Sequence, residues 1–245
     1  MIDRVCILTT WNRPNLLSQS LPRIMQECAD IGAPLVIADD HSEDTETLNL
    51  IAGAEDKGAR VITRPYNRTA EDNCDLRRGH VLTGRNNMFA FQWVLDNYPD
   101  AKYLIKVDDD TFHMQGAFRK LFEAYSNALS DGYKVIHVSG LATVFEPRLA
   151  DHEGYSVIDK GCNATILYFR EDWEIFLKEA HLGNIDIDGF DCHFMRMYWN
   201  KHKRDHVPIA VKPSYVYHTG FTGVHLGGSD INADYPFDTK DIITE

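Results

Sequence analysis

The residues best suited to chemistry are three consecutive aspartates, Asp108, Asp109 and Asp110, which follow the apolar run YLIKV. Asp108 and Asp110 lie two apart at the end of this predicted strand, so their side chains leave it on the same face and Asp109 points away. Carboxylate oxygens are preferred ligands of Mg²⁺ and Mn²⁺, which often take further ligands from substrate phosphates. The spacing therefore predicts a divalent metal site for a diphosphate. An exposed acidic turn is the alternative, but adjacent carboxylates repel one another unless a cation offsets them.

Two further polar pairs follow apolar runs that have the composition of buried strands. The run VCILTT ends with Thr9 and Thr10, and the run PLVIADD ends with Asp39 and Asp40. In an open parallel sheet, ligands bind in the crevice outside the carboxyl ends of the strands. We therefore predict that these side chains and the aspartate run meet at one edge of the sheet. An Asx turn or a helix cap, favoured by the following Ser42, is an equally good interpretation of Asp39 and Asp40.

The pattern of apolar residues predicts alternating strands and helices over the first half of the chain. The predicted strands cover residues 5–10, 34–40, 59–63, 103–110 and 134–140, and the predicted helices cover about 14–28, 86–97 and 118–129. Further on, the pattern predicts a strand at ATILYF, helices from about Glu171 and from about Gly189, and a strand leading into YVYHTG. This order is typical of an α/β fold with a mostly parallel central sheet flanked by helices.

Length and composition favour a single domain with reduced cysteines. The chain has 245 residues, of which 44% are hydrophobic, and it contains no Pro/Gly/Ser-rich linker that would divide it. Its five cysteines include no C-x-x-C pair, so we interpret them as packing residues. The sequence has neither a signal-peptide pattern nor a run of about 20 apolar residues. It therefore predicts a cytoplasmic protein without a membrane segment.

The net charge of −12 argues against nucleic acid and anionic membranes as general partners. A local basic cluster is the exception. Its members are Arg196, Lys201, Lys203 and Arg204. We interpret this cluster as a solvated helix end, where cations complement the helix dipole. A patch that binds DNA is the alternative.

Four runs carry a family resemblance. They are VCILTTWNRPNLL, VIADDHSEDT, GRNNMFAF and LIKVDDDTF, and they occur in this order within the first 120 residues. Together they resemble the GT-A glycosyltransferases, above all the family-two group, while KVDDDTF is also similar to the metal motif of the β1,3-galactosyltransferase and Fringe group. The resemblance implies a single GT-A domain, with a nucleotide-sugar half at about 1–120 and an acceptor half with a C-terminal lid at about 121–245.

The same resemblance implies an activity and a set of donor contacts. The activity is metal-dependent transfer of a sugar from a nucleoside-diphosphate sugar to an acceptor hydroxyl, with Mn²⁺ or Mg²⁺ as the cofactor. The implied donor contacts are Thr9, Thr10, Arg13, Asp39, Asp40, Arg85, Asp108 and Asp109. Asp108 would face the ribose or the metal, and Asp110 would bind the metal directly. For Arg85, a surface position near a helix N-terminus is the alternative interpretation.

The candidates for the catalytic base and for two functional histidines lie in the second half of the chain. Many family-two enzymes place a Glu-Asp pair at the start of a helix beneath the acceptor; here the comparable stretch is IDIDGFDCHF, which lacks the glutamate. Asp191 matches best as the base that removes the hydroxyl proton, with inversion of the anomeric carbon, and Asp188 is the second choice. The resemblance also implies His218 as a metal ligand and His225, on the glycine-rich run GFTGVHLGG, as a residue near the diphosphate. A structural histidine is the alternative for both.

Two other functions are open to the same fold. A nucleotidyltransferase should carry a glycine-rich loop with a basic residue after the first strand, but the sequence there is TTWNRPN, without glycine. A non-catalytic sugar-nucleotide-binding protein would keep the fold without turnover. The acceptor could be a glycan, a small molecule, a protein or a hydroxylated DNA base. Donor sugar, donor base and oligomeric state are likewise open, with UDP, GDP and TDP sugars as candidate donors.

Overall fold

The computed structural model describes residues 2–65, 76–142, 147–159, 164–180 and 194–219, apart from the side chains of 76–81 and 195–197. The chain divides into two compact units. The first comprises Met1–Pro14, Gly32–Lys106 and Tyr168–Arg204, and the second comprises Asn15–Ile31, Val107–Leu167 and Asp205–Glu245. The expectation of one domain stays a prediction.

Strands and helices alternate along the described residues. The strands are β1 (Arg4–Thr10), β2 (Leu35–Asp39), β3 (Arg60–Thr63), β4 (Tyr103–Asp108), β5 (Thr111–His113), β6 (Val135–Ser139), β7 (Arg148–Asp151), β8 (Tyr155–Ile158), β9 (Thr165–Phe169), β10 (Val207–Val211) and β11 (Val216–His218). The helices are α1 (Pro14–Ile31), α2 (Thr45–Glu55), α3 (Leu76–Asn97), α4 (Ala117–Ser130), α5 (Arg170–Glu179) and α6 (Asn200–His202), and a π-helical segment, Phe194–Trp199, precedes α6. A large mixed sheet flanked by helices results, and it confirms the predicted α/β class.

The first unit contains the strand order β3-β2-β1-β4. β1 pairs with β2 and β2 with β3, both in parallel, with Thr10 opposite Asp39 and Asp39 opposite Thr63. β1 and β2 are almost entirely buried, as expected for parallel strands covered on both faces. The predicted strands at 5–10, 34–40 and 59–63 are therefore present.

An aromatic cluster forms much of the core of the first unit. Phe91 of α3 stacks on Trp173 of α5 with ring centroids 3.6 Å apart, and Phe194 stacks on the same tryptophan at 5.3 Å. Large aromatic rings bury much apolar surface and add geometric preference to packing. The cluster anchors α3 and α5, whose helical character was predicted, although α3 begins at Leu76, ten residues before the predicted start at Asn86.

The second unit contains the order β9-β6-β10-β8-β7 and a separate pair formed by β5 and β11. β6 and β10 are parallel, whereas β8 and β9 each run antiparallel to a neighbour. Glu27 of α1 is fully buried and accepts hydrogen bonds from the backbone N–H groups of Gly116 and Phe118 at 2.7 and 3.0 Å. This carboxylate therefore satisfies donors at the N-terminus of α4, where negative charge is stabilising.

The fourth predicted strand ends earlier than expected. β4 stops at Asp108, and Asp109 and Asp110 form a turn before β5. The predicted strand near YVYHTG corresponds to β11. The strands β5, β7 and β8 and the helix α2 were not predicted. The helix predicted from about Gly189 begins outside the described residues, which resume at Phe194. In the described part of the chain, no helix combines the length and apolarity that crossing a bilayer requires.

Candidate functional site

The carboxyl ends of β1 and β2 bring Thr10 and Asp39 side by side in the first unit, as predicted. Both are buried, and Asp39 is only 5% exposed. The Asp39 carboxylate accepts hydrogen bonds from the backbone N–H and the hydroxyl of Ser42, the latter at 2.6 Å. Burial raises the pKa of Asp39, and the bonds from Ser42 oppose that rise. The local turn that the sequence left open for Asp39 is therefore present.

Asp40 forms a buried ion pair with Arg64, the residue that follows β3. The Asp40 Oδ1 and Arg64 Nη2 atoms are 2.7 Å apart, and the two side chains are 3% and 9% exposed. The sequence analysis missed Arg64, although a basic residue at the end of a neighbouring parallel strand is a usable signal. The pair gives Asp40 a structural role in addition to any contact with a ligand.

The loops after β1 and β2 are tied together by Asn12. Its backbone N–H donates to the Ser42 hydroxyl at 3.0 Å, and its side-chain oxygen accepts from the N–H groups of Glu43 and Asp44 at 2.7 and 2.9 Å. Asn12 has a φ of 45°, a left-handed conformation that asparagine tolerates better than most residues. The helix cap of α2 is Asp44, which accepts from the Thr47 N–H, so the cap interpretation of Asp39 and Asp40 was wrong.

Asn86 of α3 lies against the end of β2. Its side-chain amide donates to the carbonyl oxygen of Ala38 at 3.0 Å, and the residue is 2% exposed. The Asn86 Oδ1 atom is buried and has no hydrogen-bond partner within the described ranges. Because such an acceptor costs free energy, Asn86 is a candidate contact for a ligand. The predicted contacts Arg13 and Arg85 are half-buried.

Asp108, Asp109 and Asp110 belong to the second unit, whereas most of β4, which leads to them, belongs to the first. The prediction that Asp109 points away from its neighbours assumed that the strand continues to Asp110. Because β4 ends at Asp108, this assumption is wrong, and the alternation of side chains along a strand does not apply to the next two residues. Asp109 and Asp110 are 3% and 7% exposed, while Asp108 is half-buried. The Thr111 hydroxyl donates to the Asp108 carbonyl oxygen at 2.6 Å, which closes the turn.

The pairing of β5 with β11 brings His218 to Asp110. His218 is paired with Thr111 in the antiparallel ladder. The N–H and hydroxyl of Thr219 both donate to the Asp110 carbonyl oxygen at 3.0 Å. The Nε2 atom of His218 consequently lies 3.3 Å from Oδ1 of Asp110. The structure therefore brings together two of the three predicted metal ligands.

The Asp110–His218 pair has the donor atoms of a partial metal site. A carboxylate oxygen and an imidazole nitrogen are both ligands that Mn²⁺ accepts, and Mg²⁺ needs only one or two carboxylates when phosphates and water supply the rest. Over the ranges that the structure describes, no three His, Cys, Asp or Glu side chains gather as a metal site. The residues present therefore fit an ion that takes most of its ligands from a diphosphate and water.

His113 holds β5 in the core of the second unit. Its Nε2 atom is 3.0 Å from the Thr165 hydroxyl, and its ring packs edge-on against Phe118. Burial, with a smaller contribution from the positive charge of Arg23, lowers the pKa of His113 to about 3. The imidazole is therefore neutral at pH 7 and acts as a packing residue that fixes the strand beside Asp110.

Gly140, directly after β6, leaves the space into which β11 packs. A Cβ atom at this position would lie 2.6 Å from Cγ2 of Val216 and 3.3 Å from Thr165. Val216 is 1% exposed and β-branched, so it cannot rotate away easily. We expect Gly140→Ala to lower the free energy of unfolding by about 1–3 kcal/mol, measured by urea denaturation.

The matched control for this substitution is Gly53→Ala. A Cβ atom at Gly53, within α2, would meet nothing within 4 Å. Alanine is the better helix former, so this variant should be as stable as the wild type or up to about 1 kcal/mol more stable. Equal denaturation midpoints for Gly140→Ala and the wild type would show that β11 does not pack as described.

Two of the four residues of the basic cluster form ion pairs with neighbouring acids. The Lys201 ammonium is 2.9 Å from Glu179, and the Lys203 ammonium is 3.2 Å from Glu171 and 3.3 Å from Asp172. The Arg204 guanidinium donates to the carbonyl oxygen of Asn200, while the side chain of Arg196 is among those not described. These pairs favour the interpretation as a solvated helix end.

Three predicted residues lie outside the described residues. They are the two candidates for the catalytic base, Asp188 and Asp191, and the candidate diphosphate contact His225. Their roles stay predictions, as does the prediction that Asp108 to Asp110 join the edge formed by Thr10 and Asp39.

Comparison with known proteins gives a fold but no family. No family model matches the chain, and no curated protein matches it either. Among solved structures, S. aureus TarS 1-349 has a TM-score of 0.55 at 14% identity, over 90% of this chain and 61% of that one. A structure of the same TarS fragment with UDP-GlcNAc also has a TM-score of 0.55, at 13% identity over 93% of this chain and 61% of that one.

A further similar structure is a putative glucose-1-phosphate thymidylyltransferase from Bacillus anthracis. Its TM-score is 0.54 at 9% identity, over 89% of this chain and 90% of that one. The chain thus spans about six tenths of the TarS fragment and 36% of a longer TarS structure. At these identities the likeness shows the fold alone. That fold is the predicted α/β fold, with a large central sheet flanked by helices, and these structures share it.

Proposed function

We propose that the chain is a metal-dependent glycosyltransferase that moves a sugar from a nucleoside-diphosphate sugar to an acceptor hydroxyl, with inversion of the anomeric carbon. The observation that carries the proposal is the 3.3 Å approach of His218 Nε2 to Asp110 Oδ1. The carboxylate follows β4 and the imidazole ends β11, so the pairing of β5 with β11 brings together two metal-binding groups from distant parts of the chain. They suit a divalent ion bound to a diphosphate.

The donor nucleoside is assigned to the first unit. Thr9, Thr10 and Asp39 lie at the ends of parallel strands, the usual position of a nucleotide site in this type of fold. Asn86 adds a buried amide oxygen that a base or ribose hydroxyl could satisfy. Since the TarS fragment was solved with UDP-GlcNAc and with UDP, uridine donors are the first to test.

Asp110 and His218 would hold the metal ion, with Asp108 facing the ribose or the metal. When bound, Mn²⁺ or Mg²⁺ supplies positive charge that offsets the charge developing on the leaving diphosphate. The protein's own contribution is positional. The bonds from Thr219 to the Asp110 backbone and the ladder between β5 and β11 hold the carboxylate and the imidazole in place before the donor arrives.

Removal of the acceptor proton is assigned to Asp191, with Asp188 as the second choice. A carboxylate within reach of the attacking hydroxyl accepts its proton as the new bond to the anomeric carbon forms and the bond to the diphosphate breaks. Asp191→Asn should then reduce turnover by about 10²–10⁴-fold, with Asp188→Asn close to the wild type. The reverse result would move the assignment to Asp188.

A nucleotidyltransferase is the second candidate, since the thymidylyltransferase from Bacillus anthracis matches this chain over nearly its whole length. Against it stands the absence of glycine from the residues that follow β1, TTWNRPN. The paired lysines near α6 also argue against DNA as the acceptor, and leave a glycan, a protein or a small molecule.

The test separates three functions by their products. UDP, GDP and TDP sugars are incubated with Mn²⁺, the protein and a mixture of simple glycoside and alcohol acceptors, and nucleoside diphosphate is measured. In parallel, nucleoside triphosphates and sugar 1-phosphates are supplied, and pyrophosphate is measured. We expect nucleoside diphosphate from at least one sugar nucleotide. Pyrophosphate alone would indicate a nucleotidyltransferase. Saturable binding of a sugar nucleotide without either product would indicate a binding protein.

A further inference from the structure

The second unit contains a cavity of about 510 Å³ whose lining includes none of the residues assigned to the donor. One wall is a stripe of α4 and the residue after it, from Lys120 to Asp131. The turn between β7 and β8, at 152–154, forms a second wall, and the loop between β10 and β11, at 212–215, forms the third. The volume lies within the range of about 300–1,000 Å³ that small-molecule sites occupy.

Hydrogen bonds that the walls form with one another and with neighbouring residues hold the cavity in its shape. The Lys212 N–H donates to the Gly154 carbonyl oxygen at 3.1 Å and so joins the two loops. The Tyr155 hydroxyl donates to the Asp131 carboxylate at 2.5 Å and joins the end of α4 to β8. The Met114 N–H donates to the Tyr215 carbonyl oxygen at 2.9 Å. A ligand would therefore meet walls that are already ordered, which lowers the entropic cost of binding.

The charges of the lining are balanced within the protein. The Lys120 ammonium is 2.6 Å from the Glu123 carboxylate, and the Lys212 ammonium is 3.0 Å from Asp151. Asp131 adds a further carboxylate, which lies 3.5 Å from the ring of His152. Each lysine thus has a local counter-charge, and the carboxylates outnumber the lysines. A phosphate or another polyanion would have to compete with these carboxylates, so an anionic ligand fits poorly.

We infer that this cavity binds a neutral oligosaccharide. The carboxylates of Glu123 and Asp131 can accept hydrogen bonds from sugar hydroxyls, and the amide of Asn127 can both donate and accept. The half-buried ring of Tyr215, over which the Lys120 ammonium lies at 5.6 Å, adds an aromatic edge against which the C–H groups of a sugar ring can pack. The combination of polar groups of both kinds, one aromatic ring and no excess positive charge matches a polyhydroxylated, uncharged ligand. The inference stands apart from the proposed transfer reaction and assigns no catalytic group.

The test measures saccharide binding by isothermal titration calorimetry with no nucleotide or metal present. The probes are maltohexaose, cellohexaose, mannohexaose and chitohexaose, with tripolyphosphate as the anionic comparison. We expect at least one hexasaccharide to bind with a Kd of about 1 mM or lower. Asn127→Trp, which fills the cavity from α4, should weaken that binding at least about tenfold. Ser126→Trp places the same side chain on an exposed position of α4 outside the lining, and should leave binding unchanged.

A second variant and a fold check keep the test decisive. Asn127→Ala removes the amide without adding volume and should weaken saccharide binding by about threefold or more. Thermal unfolding of every variant shows whether it is folded. Binding by none of the four hexasaccharides, equal binding by Asn127→Trp and the wild type, or preferential binding of tripolyphosphate would each overturn the inference. Because sugar nucleotides are absent, the result does not depend on whether the chain is a transferase.

Discussion

Replacing Asp110 by asparagine is expected to lower kcat for sugar transfer by at least about a hundredfold. The substitution keeps the size of the side chain and removes the charge that would hold the metal next to His218. Without the ion, the negative charge that develops on the leaving diphosphate has no counter-charge at this position. The measurement is steady-state release of nucleoside diphosphate in the presence of Mn²⁺, with the donor that the product assay identifies.

Asp100→Asn is the matched control, because Asp100 is an exposed carboxylate that belongs to none of the proposed sites. It should retain wild-type kcat. Chelation of the metal by EDTA should reduce the activity of the wild type about as strongly as Asp110→Asn does. Full turnover in EDTA, or an Asp110→Asn enzyme as fast as the Asp100→Asn control, would remove the metal from the proposed reaction.

Replacing Arg64 by methionine is expected to lower the free energy of unfolding by about 3–5 kcal/mol. The variant leaves the buried carboxylate of Asp40 without its ion-pair partner at 2.7 Å, and an uncompensated buried charge is costly. The measurement is urea denaturation at pH 7, followed by circular dichroism. A loss below about 1 kcal/mol would contradict the description of this pair as buried and structurally important.

Two comparisons separate the ion pair from other effects of the substitution. Asp40→Leu combined with Arg64→Met removes both charges, and should recover much of the stability lost in the single variant, because neither charge is left buried. Lys134→Met breaks an ion pair with Asp205 in which both side chains are more than half exposed. That variant should unfold close to the wild-type midpoint, since exposed pairs contribute little.

The aspartates after β2 show how far local sequence can predict a site. The apolar run PLVIADD predicted both a strand and the position of Asp39 at its end, and the structure places Thr10 opposite Asp39. The choice between a ligand contact and a local turn was left open, and the hydrogen bonds from Ser42 show that the turn is present. The partner of Asp40 was missed, because Arg64 reaches it only through the parallel pairing of β2 and β3.

The aspartates after β4 show where local sequence is insufficient. Strand periodicity was extended by two residues beyond Asp108, but the chain turns there, and alternation of side chains holds only within a strand. β5 is three residues long, too short to show a period of its own, and it exists because β11 pairs with it. The space that Gly140 leaves for Val216 is likewise invisible in sequence, since it depends on two chain segments packing together.

The amino-acid sequence by itself determined the α/β class, most of the helices and strands, and the positions of Asp39 and Asp108 at strand ends. These features follow from the periodicity of neighbouring apolar residues, which is a local property. Only the tertiary structure decided that His218 meets Asp110, that Arg64 neutralises Asp40 and that Asp44 rather than Asp39 caps α2. Which side chains meet depends on how distant segments close on one another, and the free energy of burying a charge then selects the partner that can compensate it.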